Sequence, residues 1–221
     1  MSARFHDRTE AGQLLAEKLL DYANNPEVIV LALPRGGVPV GAEVAQRLNA
    51  ALDVFVVRKL GLPGHPELAM GAIASGGVRV FNGEVVNALR IPDEVMNAVT
   101  AAEYQELKRR EKSYRDDLPP PEVEGKTVIV VDDGIATGST MLAAISALRQ
   151  LNAGRVIVAT PTVARSTYDE LRGHADEVVA VIVPEEFYGV GQWYEDFSQT
   201  SDEEVQRLLA ALNRRAAPNA A

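Results

Sequence analysis

Two adjacent carboxylates, Asp132 and Asp133, open a small polar loop within the stretch V-I-V-V-D-D-G-I-A-T-G-S-T at residues 128–140. The apolar run before them is typical of a buried parallel strand, and a helical pattern starts near Met141. Unpaired N–H groups at the start of a helix favour an anion, so Ala136–Thr140 would suit a phosphate. Open α/β sheets bind their ligands at the carboxyl ends of strands. The stretch therefore predicts a ligand with a phosphate at one end and hydroxyls or a bound cation at the other.

This stretch resembles the 5-phosphoribosyl-1-pyrophosphate (PRPP) motif of the type I phosphoribosyltransferases, in which an apolar run, paired acids and a small Thr/Gly/Ser loop follow in this order. The resemblance implies that Asp132 and Asp133 contact the ribose hydroxyls and that the loop holds the 5′-phosphate. The implied loop residues are Gly134, Ala136, Thr137, Gly138, Ser139 and Thr140. The alternative is an unrelated strand-to-helix turn, because paired aspartates also follow strands in receiver-like and haloacid-type domains.

Magnesium is the cofactor that this chemistry implies. PRPP carries many ionised phosphate oxygens, and carboxylate, hydroxyl and phosphate oxygens are the ligands that Mg²⁺ prefers. The resemblance implies the same ion, with Asp132 and Asp133 as candidate ligands. Asp133 is also a candidate catalytic residue, and the sequence does not decide whether Asp133 or Glu186 acts as a base toward the incoming nucleophile. Ala136 stands where several purine-specific relatives carry an aspartate, which weakens a purine-salvage assignment.

Two further predicted strands end in basic residues. The apolar run Val28–Leu33 leads through Pro34 into an arginine and two glycines, and glycines at such a turn let a backbone approach an anion closely. The run Leu52–Val57 is followed by an arginine and a lysine. The resemblance implies that the pyrophosphate of PRPP is bound by Arg35, Gly36 and Gly37 and stabilised as it leaves by Arg58 and Lys59. An ordinary turn with a surface arginine, and a solvated pair of cations, are the alternatives.

Residues 61–121 are predicted to form an insertion made of a flexible loop, a hairpin and a long helix. Ala69–Ser75 and Val78–Phe81 have strand patterns, and Pro92–Asp117 carries the start and stop signals of a helix. Members of the family carry a flexible loop in this sector that closes over PRPP and excludes water. His65 and Glu67 are candidate contacts of that loop.

An aromatic segment, residues 184–200, lies near the C-terminus. It holds four of the eleven Phe and Tyr residues together with Trp193, the only tryptophan. Aromatic enrichment in an irregular segment suggests a wall that stacks against a planar ligand. The segment looks like the hood that binds the base in hypoxanthine-type relatives, with Phe187 as the candidate stacking residue. A packed lid or dimer contact without a base is the alternative.

Length, composition and element order bound the fold class. With 221 residues, 47% of them apolar, the chain suits a single domain, residues 1–221. Strands and helices alternate across residues 127–183, which predicts an α/β fold with a doubly wound, mostly parallel sheet flanked by helices.

A net charge of −9 disfavours nucleic acid and anionic membranes as partners. No apolar run approaches the roughly 20 residues of a membrane span, and the lack of cysteine fits a cytoplasmic protein.

The leading functional prediction is a transferase that uses PRPP and Mg²⁺ to place a 5-phosphoribosyl group on a base or amine, with release of pyrophosphate. The alternative from a different class is a regulator that senses PRPP or a nucleotide on the same fold without catalysis. A phosphatase that uses Asp132 is a third interpretation, for which the further acids and the lysine cannot be placed. No nucleic-acid or membrane partner is expected, and a homodimer is an open option.

Overall fold

The computed structural model describes residues 4–115 and 119–216. The strands are β1 (Val28–Ala32), β2 (Ala51–Val54), β3 (Val57–Leu62), β4 (His65–Ala74), β5 (Val78–Phe81), β6 (Thr127–Val131), β7 (Arg155–Thr162) and β8 (Glu177–Ile182). The helices are α1 (Arg8–Glu17), α2 (Gly37–Leu48), α3 (Gly83–Leu89), α4 (Asp93–Arg115), α5 (Ser139–Gln150), α6 (Arg165–Leu171) and α7 (Asp202–Ala216). Single 3₁₀ turns occur at Leu20–Tyr22, Ser75–Gly77 and Val190–Trp193.

A parallel sheet with the strand order β2-β1-β6-β7-β8 forms the centre of the molecule. The first of its strands shows why both faces are covered. Val28, Val30 and Ala32 pack into one apolar cluster with α1 and α2, whereas Ile29 and Leu31 pack into a second cluster with α5. Because neighbouring side chains of a strand point to opposite faces, a continuous apolar run needs helices on both sides. The predicted doubly wound, mostly parallel sheet flanked by helices is confirmed.

A second, antiparallel sheet has the order β3-β4-β5. The predicted hairpin of Ala69–Ser75 and Val78–Phe81 forms within it. The single strand predicted at Leu52–Val57 is wrong, because the chain changes partners there. The Phe55 N–H still bonds to the first sheet at Ala32, whereas Val56 exchanges hydrogen bonds with Ser75, the residue that follows β4. The two basic residues that follow therefore lie inside β3.

The long helix α4 joins the two sheets. The predicted range is Pro92–Asp117, whereas the structure has Asp93–Arg115, and the predicted end at Asp116 and Asp117 lies outside the described residues. Arg115 anchors the helix to β2 through two bonds to the Asp53 carboxylate, from Nε at 2.7 Å and from a terminal nitrogen at 2.8 Å. None of the described helices has the length and apolar character needed to cross a membrane.

Candidate active site

The loops that follow β1 and β6 meet at the carboxyl edge of the parallel sheet. These strands are adjacent, with Ala32 opposite Val131. The two loops approach so closely that a Cβ atom on Gly36 would lie 2.1 Å from Oδ2 of the Asp133 side chain, and one on Gly37 would lie 2.7 Å from the backbone carbonyl oxygen of Val131. The contact requires residues without side chains at both positions. The sequence-predicted glycine pair and acidic pair are thus brought together.

The acidic pair has an asymmetric environment. Oδ1 of Asp132 accepts a hydrogen bond from the Asp133 N–H at 2.9 Å, and Oδ2 of Asp133 accepts one from Nε of Arg8 at 2.8 Å. Burial, and then the charge of Asp133, raise the pKa of Asp132 well above its usual range. Because protonation of Asp132 is favoured, the pair can both donate and accept hydrogen bonds. Such a pair suits neutral hydroxyl groups.

Arg8 is a site residue that no sequence pattern singled out. It is the first residue of α1, a helix capped by Asp7, whose carboxylate accepts a hydrogen bond from the Glu10 N–H at 2.9 Å. The helix dipole disfavours a cation in the first turn. This unfavourable position is the one weak sequence signal that Arg8 has a role beyond the helix. Its side chain is only 11% exposed, and that of Asp133 is 13% exposed.

The loop before α5 has the features of an anion site. Gly138 adopts a left-handed φ of +74°, and a Cβ atom there would lie 2.7 Å from Cγ2 of Thr167. The Thr167 hydroxyl also donates to the Ala136 carbonyl at 2.5 Å, so α6 supports the turn. Within the described part of the chain, the backbone N–H groups of Thr137–Thr140 meet no acceptor. Free amides at the start of a helix, beside the exposed side chains of Thr137, Ser139 and Thr140, form a phosphate-sized cradle.

The basic residues predicted for the pyrophosphate take different directions. Arg58 and Lys59 are neighbours in β3 and therefore point to opposite faces. Arg58 pairs with Glu103 of α4 at 2.7 Å. Lys59 is exposed and lines a cavity of about 320 Å³ between the second sheet and α5, together with Ser139 and Thr140. Lys59 is therefore the member of this pair that reaches the loop at the start of α5.

Arg35 precedes Gly36 and Gly37, which contact the acidic loop, but the side chain of Arg35 points toward α7. Its guanidinium lies 3.5 Å from Oδ1 of Asp202, which also accepts a hydrogen bond of 3.3 Å from the Tyr114 hydroxyl. The peptide bond between Pro34 and Arg35 is cis. The side chains of both Arg35 and Asp202 are more than a third exposed. This pair is therefore weak enough to exchange for a phosphate ligand.

The aromatic segment 184–200 packs against the N-terminal residues and the acidic loop. The Phe5 N–H donates to the Trp193 carbonyl, and the Glu195 N–H donates to the Phe5 carbonyl, both at 2.9 Å. The Tyr194 hydroxyl donates to the Asp133 carbonyl at 2.5 Å. Phe187 stacks on Trp193 with ring centroids 6.3 Å apart. One face of the predicted stacking residue is thus covered, while its neighbour Tyr188 is 85% exposed.

A family model described as a phosphoribosyl transferase domain matches residues 5–197. The chain belongs to this family. The crystal structure of TT1426 from Thermus thermophilus is 41% identical in sequence and has a TM-score of 0.83, covering 95% of this chain and 99% of that chain. The predicted membership of the type I phosphoribosyltransferases is confirmed.

Two sequence relatives extend this phosphoribosyltransferase assignment. A protein of Mycobacterium tuberculosis (strain ATCC 25618 / H37Rv), named only provisionally as a phosphoribosyl transferase, is 45% identical over 210 residues. The match covers 95% of this chain and 47% of that protein. The bifunctional protein PyrR of Corynebacterium efficiens is 28% identical over 141 residues, or 64% of this chain and 55% of that protein. The chain thus spans about half the length of the curated relatives it matches.

The acidic pair does not by itself fit a resident magnesium ion. Arg8 occupies Oδ2 of Asp133, and the raised pKa of Asp132 disfavours its ionised form. The described residues contain no group of three or more His, Cys, Asp or Glu side chains that could hold a metal. Mg²⁺ usually keeps several waters and binds through substrate phosphates with few protein ligands. A magnesium ion at this edge of the sheet would therefore have to bind mainly through the phosphates of a ligand, with few ligands from the protein.

Proposed function

We propose that this chain transfers a 5-phosphoribosyl group from the magnesium complex of PRPP to a nitrogen nucleophile and releases pyrophosphate. The observation that carries the proposal is that three features lie on two adjacent loops at one sheet edge. Asp132 and Asp133 share a loop with the free amides and hydroxyls at the start of α5, and the carboxylate of Asp133 meets Gly36 of the neighbouring loop. PRPP carries a phosphate, a diol and a pyrophosphate in this same order.

The binding roles follow the chemistry of each group. The loop Ala136–Thr140 takes the 5′-phosphate through its free amides, and its exposed hydroxyls add further donors. Asp132 and Asp133 take the ribose hydroxyls. The glycines after Arg35 allow the pyrophosphate to approach the backbone. Its charge is stabilised by Lys59 and by Arg35, which must first leave Asp202. Arg58, the third cation that the sequence predicted, points to the opposite face of β3 and pairs with Glu103.

The reaction is a substitution at ribose C1. A bond forms from the acceptor nitrogen to C1 as the bond from C1 to the pyrophosphate oxygen breaks, and pyrophosphate leaves with the electron pair. The acceptor then loses a proton to a base or to solvent. Positive charge that develops on the ribose is stabilised by the nearby carboxylate of Asp133, and negative charge on pyrophosphate is stabilised by the cations. Because Arg8 already holds Asp133, this carboxylate suits charge stabilisation better than proton abstraction.

The acceptor lies against the aromatic segment in this proposal. Tyr194 joins that segment to the carbonyl of Asp133, so a ring bound there would face C1 of the ribose. Phe187 is the ring that the sequence pattern indicates, and the exposed ring of Tyr188 stands beside it. Either aromatic ring offers a face to a planar nitrogenous base.

A sensor of PRPP or a nucleotide without catalysis is the second candidate. The observation in its favour is that two of the three cations are held by carboxylates, Arg58 by Glu103 and Arg35 by Asp202. Among the described residues, Lys59 alone of the three has no carboxylate partner. A site with fewer available cations would bind PRPP but stabilise the departing pyrophosphate less.

Calorimetric titration with PRPP and Mg²⁺, followed by a screen of bases and amines for pyrophosphate release, tests both candidates. The double variant D132N/D133N should weaken PRPP binding by at least about tenfold, because each amide replaces one carboxyl oxygen by an NH₂ group, which cannot accept a hydrogen bond from a ribose hydroxyl. The matched control is D169N/E170Q, which changes the charge equally at two exposed neighbouring acids on α6. Binding that survives D132N/D133N would contradict the proposal, whereas binding without pyrophosphate release from any acceptor would favour the sensor.

A further inference from the structure

We propose that Arg8 is a positioning residue that aligns the carboxylate of Asp133 and the aromatic segment 184–200 at the same time. This inference deepens the proposed function and rests on it for the identity of the ligand. Arg8 lies within the matched residues 5–197 but in none of the sequence motifs described above, and it is 125 residues from Asp133 along the chain. The proposed role of Arg8 follows from the contacts that its guanidinium group makes.

The guanidinium of Arg8 has three kinds of partner. Nε donates to Oδ2 of Asp133 at 2.8 Å, and a terminal nitrogen donates to the Ser198 carbonyl at 2.7 Å. The guanidinium carbon lies 4.1 Å from the ring centroid of Phe197 and 5.9 Å from that of Tyr194. A planar fork with several donors can make bonds in two directions while it stacks on a ring. Arg8 therefore joins the acidic pair to the aromatic segment.

Asp133 is the common point of these contacts. Its side chain is held by Arg8, and its backbone carbonyl accepts the hydrogen bond from Tyr194. Tyr194 stacks on Phe197 with centroids 5.1 Å apart, and Phe197 in turn lies under the guanidinium. These contacts form a closed ring of interactions. A shift of Arg8 would therefore move the carboxylate and the aromatic wall together.

Arg8 also determines which oxygen of Asp133 meets the ligand. Oδ2 is bonded to Arg8, and it is the oxygen nearest to Gly36, where a Cβ atom would lie 2.1 Å from Oδ2 and 3.1 Å from Oδ1. Apart from the neighbouring carboxyl of Asp132, no donor among the described residues is placed to reach Oδ1 of Asp133. The arrangement assigns Oδ1 to the ribose hydroxyl. The acceptor side of the site is then formed by the aromatic segment 184–200, which Arg8 also contacts.

Two substitutions separate the two tasks of Arg8. R8Q removes the charge and the fork, so PRPP affinity should fall about tenfold, the equivalent of one charge-assisted hydrogen bond. R8K can reach Asp133 but cannot bond to Ser198 and stack on Phe197 at once. R8K should therefore recover much of the PRPP affinity while the aromatic segment stays loosened.

Fluorescence of Trp193 measures the aromatic segment without any ligand. Trp193 is the only tryptophan of the chain and is buried beside Phe5 and Tyr194. Both R8Q and R8K should red-shift its emission and increase its quenching by acrylamide. The matched control is R47Q, since Arg47 also bonds through Nε to a carboxylate at 2.8 Å, that of Glu17 in α1, but in an exposed pair. R47Q should leave both readouts at the wild-type values.

The outcomes keep the two proposals apart. If the wild-type protein binds no PRPP, the proposed function fails, while the fluorescence of R8Q and R8K still decides the positioning role. Unchanged Trp193 emission and quenching in R8Q would overturn that role. Equal PRPP affinity in R8Q and the wild type would overturn the assignment of Asp133 Oδ1. Circular dichroism of each variant checks that it is folded, and R8K supplies the test if R8Q is not.

Discussion

Gly134 lies directly against Val190, so that a Cβ atom built on Gly134 would fall 2.3 Å from Cγ1 of the valine. Gly134 belongs to the loop that follows the acidic pair, and Val190 begins the 3₁₀ turn Val190–Trp193 of the aromatic segment. The segment thus rests on the acidic loop through the side chain of Val190, which packs directly on the backbone of Gly134. The distance between the proposed ribose site and the proposed acceptor wall depends on this contact.

The variant G134A should lower the free energy of unfolding by about 1–3 kcal/mol, because an added methyl group overpacks a close contact. The double variant G134A/V190A should recover part of that loss, since the shorter side chain makes room for the new methyl group. Urea unfolding of the single and double variants measures the coupling. Gly189 is the control: its backbone is extended and nothing lies within 4 Å of an added Cβ, so G189A should be nearly neutral. Strictly additive losses in the double variant would show that the two residues do not press on each other.

Tyr188 and Phe187 should respond differently to truncation. Y188A should raise the KM for the acceptor without changing stability, because the ring is 85% exposed. F187A should also lower the free energy of unfolding, by about 2 kcal/mol, because it removes the partly buried ring that stacks on Trp193. Steady-state kinetics and thermal melts of both variants make the comparison. An unchanged acceptor KM in Y188A, with a raised one in F187A, would identify Phe187 as the ring that contacts the base.

Arg115 should contribute far more to stability than Arg109, although each makes two bonds to one carboxylate. The Arg115 side chain is 5% exposed and that of its partner Asp53 is 18% exposed, whereas Arg109 is 64% exposed. R115A leaves a buried carboxylate without its cation, so we expect a loss of about 3 kcal/mol. R109A should leave the free energy of unfolding almost unchanged, because the pair is exposed to solvent.

Urea unfolding of the two arginine variants supplies the measurement, and both residues lie on α4, which makes the pair a matched comparison. Similar losses in R115A and R109A would mean that Asp53 is readily solvated once its partner is gone.

Asp176 should make stability depend on pH. Burial alone would raise the pKa of Asp176, but the bonds from the Val156 N–H at 2.7 Å and from Arg149 at 2.8 Å outweigh it and hold the pKa below its usual range. The stabilisation is therefore present above the unfolded-state pKa, about 3.9, and is lost as the pH falls through the lowered folded-state pKa. D176N should cost about 1 kcal/mol at pH 7, a value reduced for partial exposure, and progressively less below pH 4.

Unfolding curves of D176N and the wild type at neutral and acidic pH test this dependence. The control is E185Q, which removes an exposed partner of Arg165 and should have little effect at either pH. A deficit of D176N that is equal at both pH values would assign the loss to packing and not to charge.

The central sheet and the loop that follows the acidic pair were predictable because both depend on local patterns. Continuous apolar runs require burial on both faces, and a strand that ends in Asp132-Asp133 before a glycine-containing turn is compatible with few kinds of site. The hairpin around Gly76 and Gly77 was predictable for a similar reason, since both residues adopt left-handed φ values of +82° and +76°.

The remaining features depend on contacts between distant segments. The run Leu52–Val57 has a uniform strand pattern, and only the hydrogen bonds of Val56 with Ser75 show where it changes sheets. The adjacent cations Arg58 and Lys59 suggested one shared role, but the alternation of side chains in a strand directs them to opposite faces. Thr167 and Arg8 reach the site from α6 and α1, and the sequences of these two helices contain no motif that marks a site residue. Side-chain direction across such distances is not encoded in local spacing.

The contacts of Arg8 also set when the site can exist during synthesis. Arg8 is separated from Asp133 by 125 positions and from Ser198 by 190. At a synthesis rate of about 5–20 residues per second, on the order of ten to forty seconds pass between the appearance of the arginine and that of its last partner. Long-range contacts of this kind form late because a large loop must close first. In a nascent chain the acidic pair therefore emerges well before Ser198, and the contacts of Arg8 can close only after both segments have been synthesised.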